Sequence, residues 1–277
     1  MSGTLRSRVE ALGAAADQAA ERVVLELLEA LERGEVRAAE RGADGTWRAV
    51  PWVKQGILHA FRIGRVVEMS PGGPSPFQFY DKHTLPTQDI PLDRGVRVVP
   101  GGSTIRRGAH IGRGVVCMPP MYVNAGAWVG AGTMVDSHAL VGSCAQIGER
   151  VHLSAAAQIG GVLEPVNAAP VIIEDDAFIG GNCGVYEGTV VRRRAVLAPG
   201  VLLTRGTPVY DVVREQVYRA AGDAPLEIPE NAVVVPGSRP VSGGWGAAQG
   251  LTLHAPVIVK YRDGSTDAAT ALEGALR

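Results

Sequence analysis

The sequence predicts a mainly β protein: a left-handed parallel β-helix of hexapeptide repeats, with an N-terminal helical domain and a small C-terminal cap. Three observations carry that expectation. An aliphatic residue or a cysteine stands at every sixth position from Ile105 through Ile111, Cys117, Val123, Val129, Val135, Val141, Ile147 and Leu153 to Ile159. Four places after each of the first nine comes a small or apolar residue: Ala109, Val115, Met121, Ala127, Thr133, Ala139, Ala145, Val151 and Ala157. The second place of the hexad is often glycine, as at Gly112, Gly130, Gly142, Gly148 and Gly160, and the 36 glycines are about twice the usual ~7% share. A period of six fits neither a helix at 3.6 nor a strand at 2 over so long a run. One flat side of a triangular coil for every six residues does fit it.

Residues 1–98 read as a helical domain and linker. Glu21 to Arg33 carries Val24, Leu27, Leu28 and Leu31 at helical spacing, with Gly34 as a stop. A second amphipathic run follows Pro51, with Val53, Ile57, Leu58 and Phe61, and SPGGPSP at 70–76 is a breaker-rich loop. The coil occupies 99–240. It pauses after Ile159 at GGVLEPVNAAP, an insertion expected to project as a loop from one edge. It resumes at Ile173 and continues through Ile179, Val185, Val191, Leu197 and Leu203, with Ala177, Cys183, Thr189, Ala195, Val201 and Thr207 in the companion place. At three hexads per turn these make about five coils. A non-repeat arm near 210–227 interrupts before Ile228 and Val234 revive the pattern. Residues 241–277 form the cap: a closing strand at Leu251–Tyr261 and a short helix at Thr266–Leu276.

A net charge of −1 gives no reason to expect nucleic acid or an anionic membrane as partner. No start resembling a signal peptide and no 18-residue apolar run are present, so a cytoplasmic location is expected. Cys117, Cys144 and Cys183 are widely spaced and read as reduced structural thiols. Inward residues fill the coil, which leaves chemistry to the outer faces, the loops or the contacts between subunits. His110, His138 and His152 fall in hexads on three different sides, so one chain does not gather them around a zinc ion, and no metal is expected. Acyltransferases, γ-class carbonic anhydrases and nucleotidyltransferase tails all use such a coil.

The stretch from Met118 is more specific than the hexads. It contains MVD, VGSCAQIG, VHLS and IGGVLEP, and is joined by RVVP at 97–100, IIEDDAFIGGN at 172–182, YEGTVV at 186–191, TPVYD at 207–211 and APVIVKY at 255–261. ERGEVRAAE and WVKQGILHAFRI complete the set near the N-terminus. Together these resemble the tetrahydrodipicolinate N-succinyltransferase family over nearly the whole chain. The resemblance implies a homotrimer with sites between subunits, small-molecule substrates, no permanently bound cofactor, and succinyl-CoA as cosubstrate. The acyl group would pass to the amine of opened tetrahydrodipicolinate in lysine and diaminopimelate synthesis. A dicarboxylate acceptor calls for a fixed arginine, its amine for a carboxylate, and the tetrahedral oxyanion for hydrogen-bond donors.

By that resemblance Arg97 is a substrate-binding arginine and Asp136 the carboxylate that meets the substrate amine. His138 is a further candidate substrate contact. Where well-known members read ARSEVVEG, this chain reads GNCGVYEG, and Gly184 stands in place of the second catalytic acid. Glu187 is the nearby acid and is taken as its catalytic replacement. Candidate CoA contacts are Gly160, Gly161 and Ala198, with Arg205, Arg239 and Lys260 as phosphate partners. The exchange at Gly184 leaves two rivals: an N-acetyltransferase on the same or a related amino acid, and a trimer that kept the coil and lost catalysis.

Overall fold

The computed structural model describes residues 4–70 and 78–263. Most of the SPGGPSP loop and the expected helix at Thr266–Leu276 lie outside the described residues. The coil is a left-handed triangular prism with three parallel faces. Face A runs upward from Arg97–Val98 through Val116–Cys117, Met134–Val135, His152–Leu153, Phe178–Ile179 and Val196–Leu197 to Ala232–Val235. Face B climbs from Thr104–Ile105 to Leu202–Leu203, and face C from His110–Ile111 to Glu227–Ile228, each in six rungs. The prism is longer than the five coils expected because Ile228 and Val234 also take inward hexad places and Val98, exposed at the lower end, starts the ladder opposite Cys117.

The hexad explains the geometry. Its first and fifth residues point inward and form one continuous buried core from Ile105 to Ile258. Its sixth residue points outward, and its second to fourth turn the corner. At the fourth place the backbone is left-handed even where no glycine stands, as at His138 (φ 62), Cys144 (φ 65), Ala156 (φ 59) and Asn182 (φ 57). Such a backbone is uncommon for a non-glycine residue. The regular ladder above and below holds it, for example through Asp136 N–H to the Leu153 carbonyl at 2.9 Å. Gly142 is required by close approach, since a Cβ there would stand 2.2 Å from the Gly161 nitrogen.

The N-terminal domain has three helices: α1 (Leu5–Glu10), α2 (Gln18–Arg33) and α3 (Pro51–Ile63). Asp17 caps α2 by accepting from Ala20 N–H at 2.9 Å, and Gly34 closes it at φ 76. The expected stripe of Val24, Leu27, Leu28 and Leu31 packs on Val53, Ile57 and Ala60, and this core takes in Ala125 and Cys144 from the coil. Between α2 and α3 the chain forms a hairpin, Ala39–Arg41 with Trp47–Ala49, where the sequence reads as helical. Its pull is tertiary: Ala39 packs on Ile172 and Val190 of face C, and Trp47 donates its indole N–H to Glu174 at 3.0 Å.

Face C is thereby covered. His110 stacks on Trp128 with ring centroids 3.8 Å apart and donates from Nδ1 to the Glu32 carbonyl at 3.0 Å. Arg37 lies 3.9 Å over Trp128, and Arg107 pairs with Glu29 and Glu32 of α2. The arm is a hairpin, Val209–Asp211 with Gln216–Tyr218, pinned where buried Asp211 accepts from Tyr261 Oη and from the Val213 and Arg214 amides. The single closing strand expected at Leu251–Tyr261 is two strands, Thr252–His254 and Val257–Tyr261. The break falls at Pro256, which has no amide hydrogen to continue a ladder. Val257–Tyr261 closes the top of face A between the arm and Ala232–Val235.

Candidate active site

Asp136 occupies the second place of its hexad and turns the edge from face A to face B. It is half-buried. Its Oδ1 accepts from Ser137 N–H at 2.7 Å, which fixes the carboxylate against its own turn. His138, two residues on, is exposed at the same edge, with its carbonyl bonded to Gln158 Nε2 at 3.1 Å. Arg97 lies on the lowest strand of face A, opposite Val116, with an exposed side chain. Two rungs separate it from Met134, about 10 Å along the axis at the usual strand spacing. One chain therefore brings Arg97, Asp136 and His138 to face A and its edge.

His152 belongs with them, although the sequence suggests it only as a metal ligand to be tested. It stands one rung above Met134, pointing outward, and stacks on Phe178 with centroids 5.0 Å apart. Burial pushes its pKa down, and the nearby Asp136 charge partly opposes that. The sequence signal is its sixth place in the hexad, outward and one coil above Asp136.

Glu187 lies elsewhere. It turns the edge from face B to face C, exposed, with φ 54, and its carboxylate accepts from Arg205 N–H at 2.9 Å. Face B stands between it and Asp136, and its strand is two rungs higher than the one that follows Asp136. A single chain does not bring these two carboxylates to one amine.

Gly184 is buried on face B, and its surroundings account for the missing side chain. A Cβ there would stand 2.5 Å from Tyr186 Cε2 and 2.9 Å from both the Tyr186 hydroxyl and Leu202 Cδ2. Tyr186, where the ARSEVVEG motif has valine, folds back over Gly184 and fills that volume. Its ring also closes on Gly160, where a Cβ would stand 2.7 Å from Cδ1.

The CoA candidates divide in the same way. Gly160, Gly161 and Arg205 share the B/C edge with Glu187, and the Arg205 guanidinium donates to the Gly222 carbonyl. Ala198 sits at the A/B edge, fully buried, with its N–H bonded to the Val234 carbonyl and its carbonyl to Cys183 Sγ. Arg239 is half-buried on Ser238–Pro240, and its Nε is buried without a hydrogen-bond partner among the described residues. Lys260 lies on the closing strand of face A, opposite Val233. Burial pushes the Cys117 and Cys144 thiols up to about 12 and Cys183 up to about 11, so none is a ready nucleophile. No group of three His, Cys, Asp or Glu side chains that could hold a metal occurs among the described residues.

Comparison with known proteins bears on both parts of the chain. The family model for the N-terminal region of tetrahydrodipicolinate N-succinyltransferase matches residues 6–63, and that for the hexapeptide repeat of succinyl-transferase matches 170–205. The 2,3,4,5-tetrahydropyridine-2,6-dicarboxylate N-succinyltransferase of Bradyrhizobium diazoefficiens is 42% identical over 91% of this chain and 88% of its own length. That of Polynucleobacter asymbioticus is 43% identical over 91% and 87%. A crystal structure from Campylobacter jejuni, assigned as a 2,3,4,5-tetrahydropyridine-2-carboxylate N-succinyltransferase, superposes with a TM-score of 0.53 at 18% identity. It covers 84% of this chain and 62% of that one, and supports the fold alone. With that coil, that helical domain and this degree of identity to acyltransferases along most of its length, the chain belongs to the tetrahydrodipicolinate N-succinyltransferase family.

Proposed function

We propose that the chain transfers succinyl from succinyl-CoA to the amino group of opened tetrahydrodipicolinate, as a cytoplasmic homotrimer in lysine and diaminopimelate synthesis. The observation that carries this reading is the 42% identity over 91% of the chain to proteins of that activity. The geometry suits the chemistry. Arg97, exposed on face A, offers a bidentate guanidinium to a substrate carboxylate. Asp136 takes a proton from the substrate ammonium, and the freed amine attacks the thioester carbonyl. The new C–N bond forms, the tetrahedral intermediate collapses, the C–S bond breaks, and CoA leaves as the thiol once protonated.

A trimer supplies what one chain lacks. With three prisms side by side, the B/C edge of one subunit lies against the A/B edge of the next, and Glu187 of the partner subunit reaches the site that holds Asp136. CoA then lies between the two edges, past Gly160, Gly161 and Arg205 on one side, with Arg239 and Lys260 as further cations for its phosphates and Ala198, fully buried beneath the A/B edge, supporting the groove from within. His138 borders the acceptor.

The exchange of an acid for Gly184 covered by Tyr186 keeps one rival open, an N-acetyltransferase on the same or a related amino acid. Steady-state assays with tetrahydrodipicolinate and either succinyl-CoA or acetyl-CoA, read by thiol release, separate the two. Succinyl-CoA is expected to give the higher kcat/KM. Preference for acetyl-CoA overturns the donor, and no turnover with either leaves a structural trimer.

A further inference from the structure

Lys54 is a buried cation with no carboxylate. It lies on α3, is fully buried, and donates from Nζ to the Ala168 carbonyl at 2.7 Å and the Pro165 carbonyl at 3.4 Å. No Asp or Glu pairs with it among the described residues. An ammonium taken out of water on these terms is expensive, and an apolar residue of like length would pack the same space without that penalty.

Both acceptors belong to the insertion that interrupts the hexads, which leaves face B after Ile159 and rejoins face C at Ile172. It replaces a corner of the B/C edge. Val162 N–H bonds to the Ser143 carbonyl at 3.1 Å below. Above, the Ala169 carbonyl lies so close to Gly188 that a Cβ there would stand 2.8 Å away. Leu163 packs on the core of the helical domain. The loop therefore lies between Gly160 and Gly161 at its start and the Glu187–Gly188 turn at its end. Carbonyls of an inserted loop have no ladder to satisfy them: the Pro165 carbonyl accepts from Ala168 N–H at 3.0 Å within the loop, and Lys54 supplies the short donor to the Ala168 carbonyl and a second, longer one to Pro165.

We propose that Lys54 is a positioning residue through which the helical domain holds the 160–171 loop against the B/C edge, and so shapes the groove for the acyl donor. The role assigned to the groove rests on the function proposed above; the tether itself does not.

The test uses the full-length protein. Lys54→Met keeps length and apolar volume and removes the donors. Hydrogen exchange is expected to rise at least tenfold in amides of 161–171, with those of 104–159 unchanged. KM for the acyl donor is expected to rise about tenfold with kcat within threefold, and Lys54→Arg to recover part of the loss. A second variant replaces 163–168 by a Gly/Ser linker, which keeps the backbone carbonyls but removes the Leu163 packing and the Pro165 ring that present two of them to Lys54. It is expected to raise KM as Lys54→Met does, and the double variant to show no further rise. If Lys54→Met fails to fold, the linker variant alone decides: a KM equal to wild type overturns the proposal. Unchanged exchange in 161–171, unchanged KM, or full additivity in the double variant also overturns it. A wild-type protein with no turnover would sink the functional reading, while the exchange measurement would still decide the tether.

Discussion

Faces A and C follow the same six-residue rule and present their outward rows to different neighbours. On face C the row is His110, Trp128, Gln146, Ile172 and Val190, and the helical domain covers it. On face A the row is Arg97, Val116, Met134, His152 and Phe178, with Asp136 at its edge. The two histidines make the contrast sharp. His110 and His152 each stand one place before an inward aliphatic residue, and burial pushes the pKa of each down. His110 is spent on Trp128 and the Glu32 carbonyl, and so holds two domains together. His152 leans on Phe178 and feels the charge of Asp136. Equal places in a repeat thus acquire different work according to what lies over them.

The largest effect that would sharpen this contrast is on Asp136. Asp136→Asn keeps the turn and is expected to lower kcat by roughly 10²- to 10⁴-fold with an unchanged unfolding midpoint. Near wild-type turnover would break the assignment of face A as the catalytic one. His110→Ala should do the reverse. Loss of the stack and the interdomain hydrogen bond is expected to destabilise the protein by about 1–3 kcal/mol in urea unfolding, with kcat/KM within about twofold of wild type.

Gly184→Glu comes next. It forces a side chain onto Tyr186 and Leu202, for an expected loss of about 1–3 kcal/mol that Tyr186→Val relieves. Stability equal to wild type in the single variant would show that Tyr186 does not claim that volume. The smallest effect concerns pH. A histidine whose folded pKa lies below its unfolded value leaves the unfolded chain binding more protons between the two. Its contribution is therefore present above ~6.5 and is lost as pH falls through the folded pKa. His152→Gln and His110→Gln should each flatten the acid side of the stability–pH curve. His152→Gln alone should also shift the pH profile of kcat/KM, because it alone neighbours Asp136. An unchanged profile would remove His152 from the site.

The inward positions from Ile105 to Leu203 are legible in the sequence because burial at a fixed period leaves a composition that no corner or outer residue shares. The placement of Asp136 on an outer corner follows from the same count. The hairpin at Ala39–Ala49 is only weakly legible there: Asp44–Gly45 marks a turn, but strands of three residues are too short to show alternation, and face C recruits them. Lys54 is hidden inside an amphipathic helix, because a lysine at that spacing reads as solvated until its acceptors, more than a hundred residues away, are known.

Repetition and motif are local properties of the chain, so the periodic coil, the interruption after Ile159 and the family kinship all follow from the residues in order. The folded coil alone sets Asp136 and Glu187 on opposite sides of face B and lets Tyr186 fill the space above Gly184. It alone makes one outward histidine join two domains while its counterpart stands beside a carboxylate. These arrangements depend on which hexad stacks on which and on what covers each face, distances set by the closing of the coil rather than by neighbours in sequence.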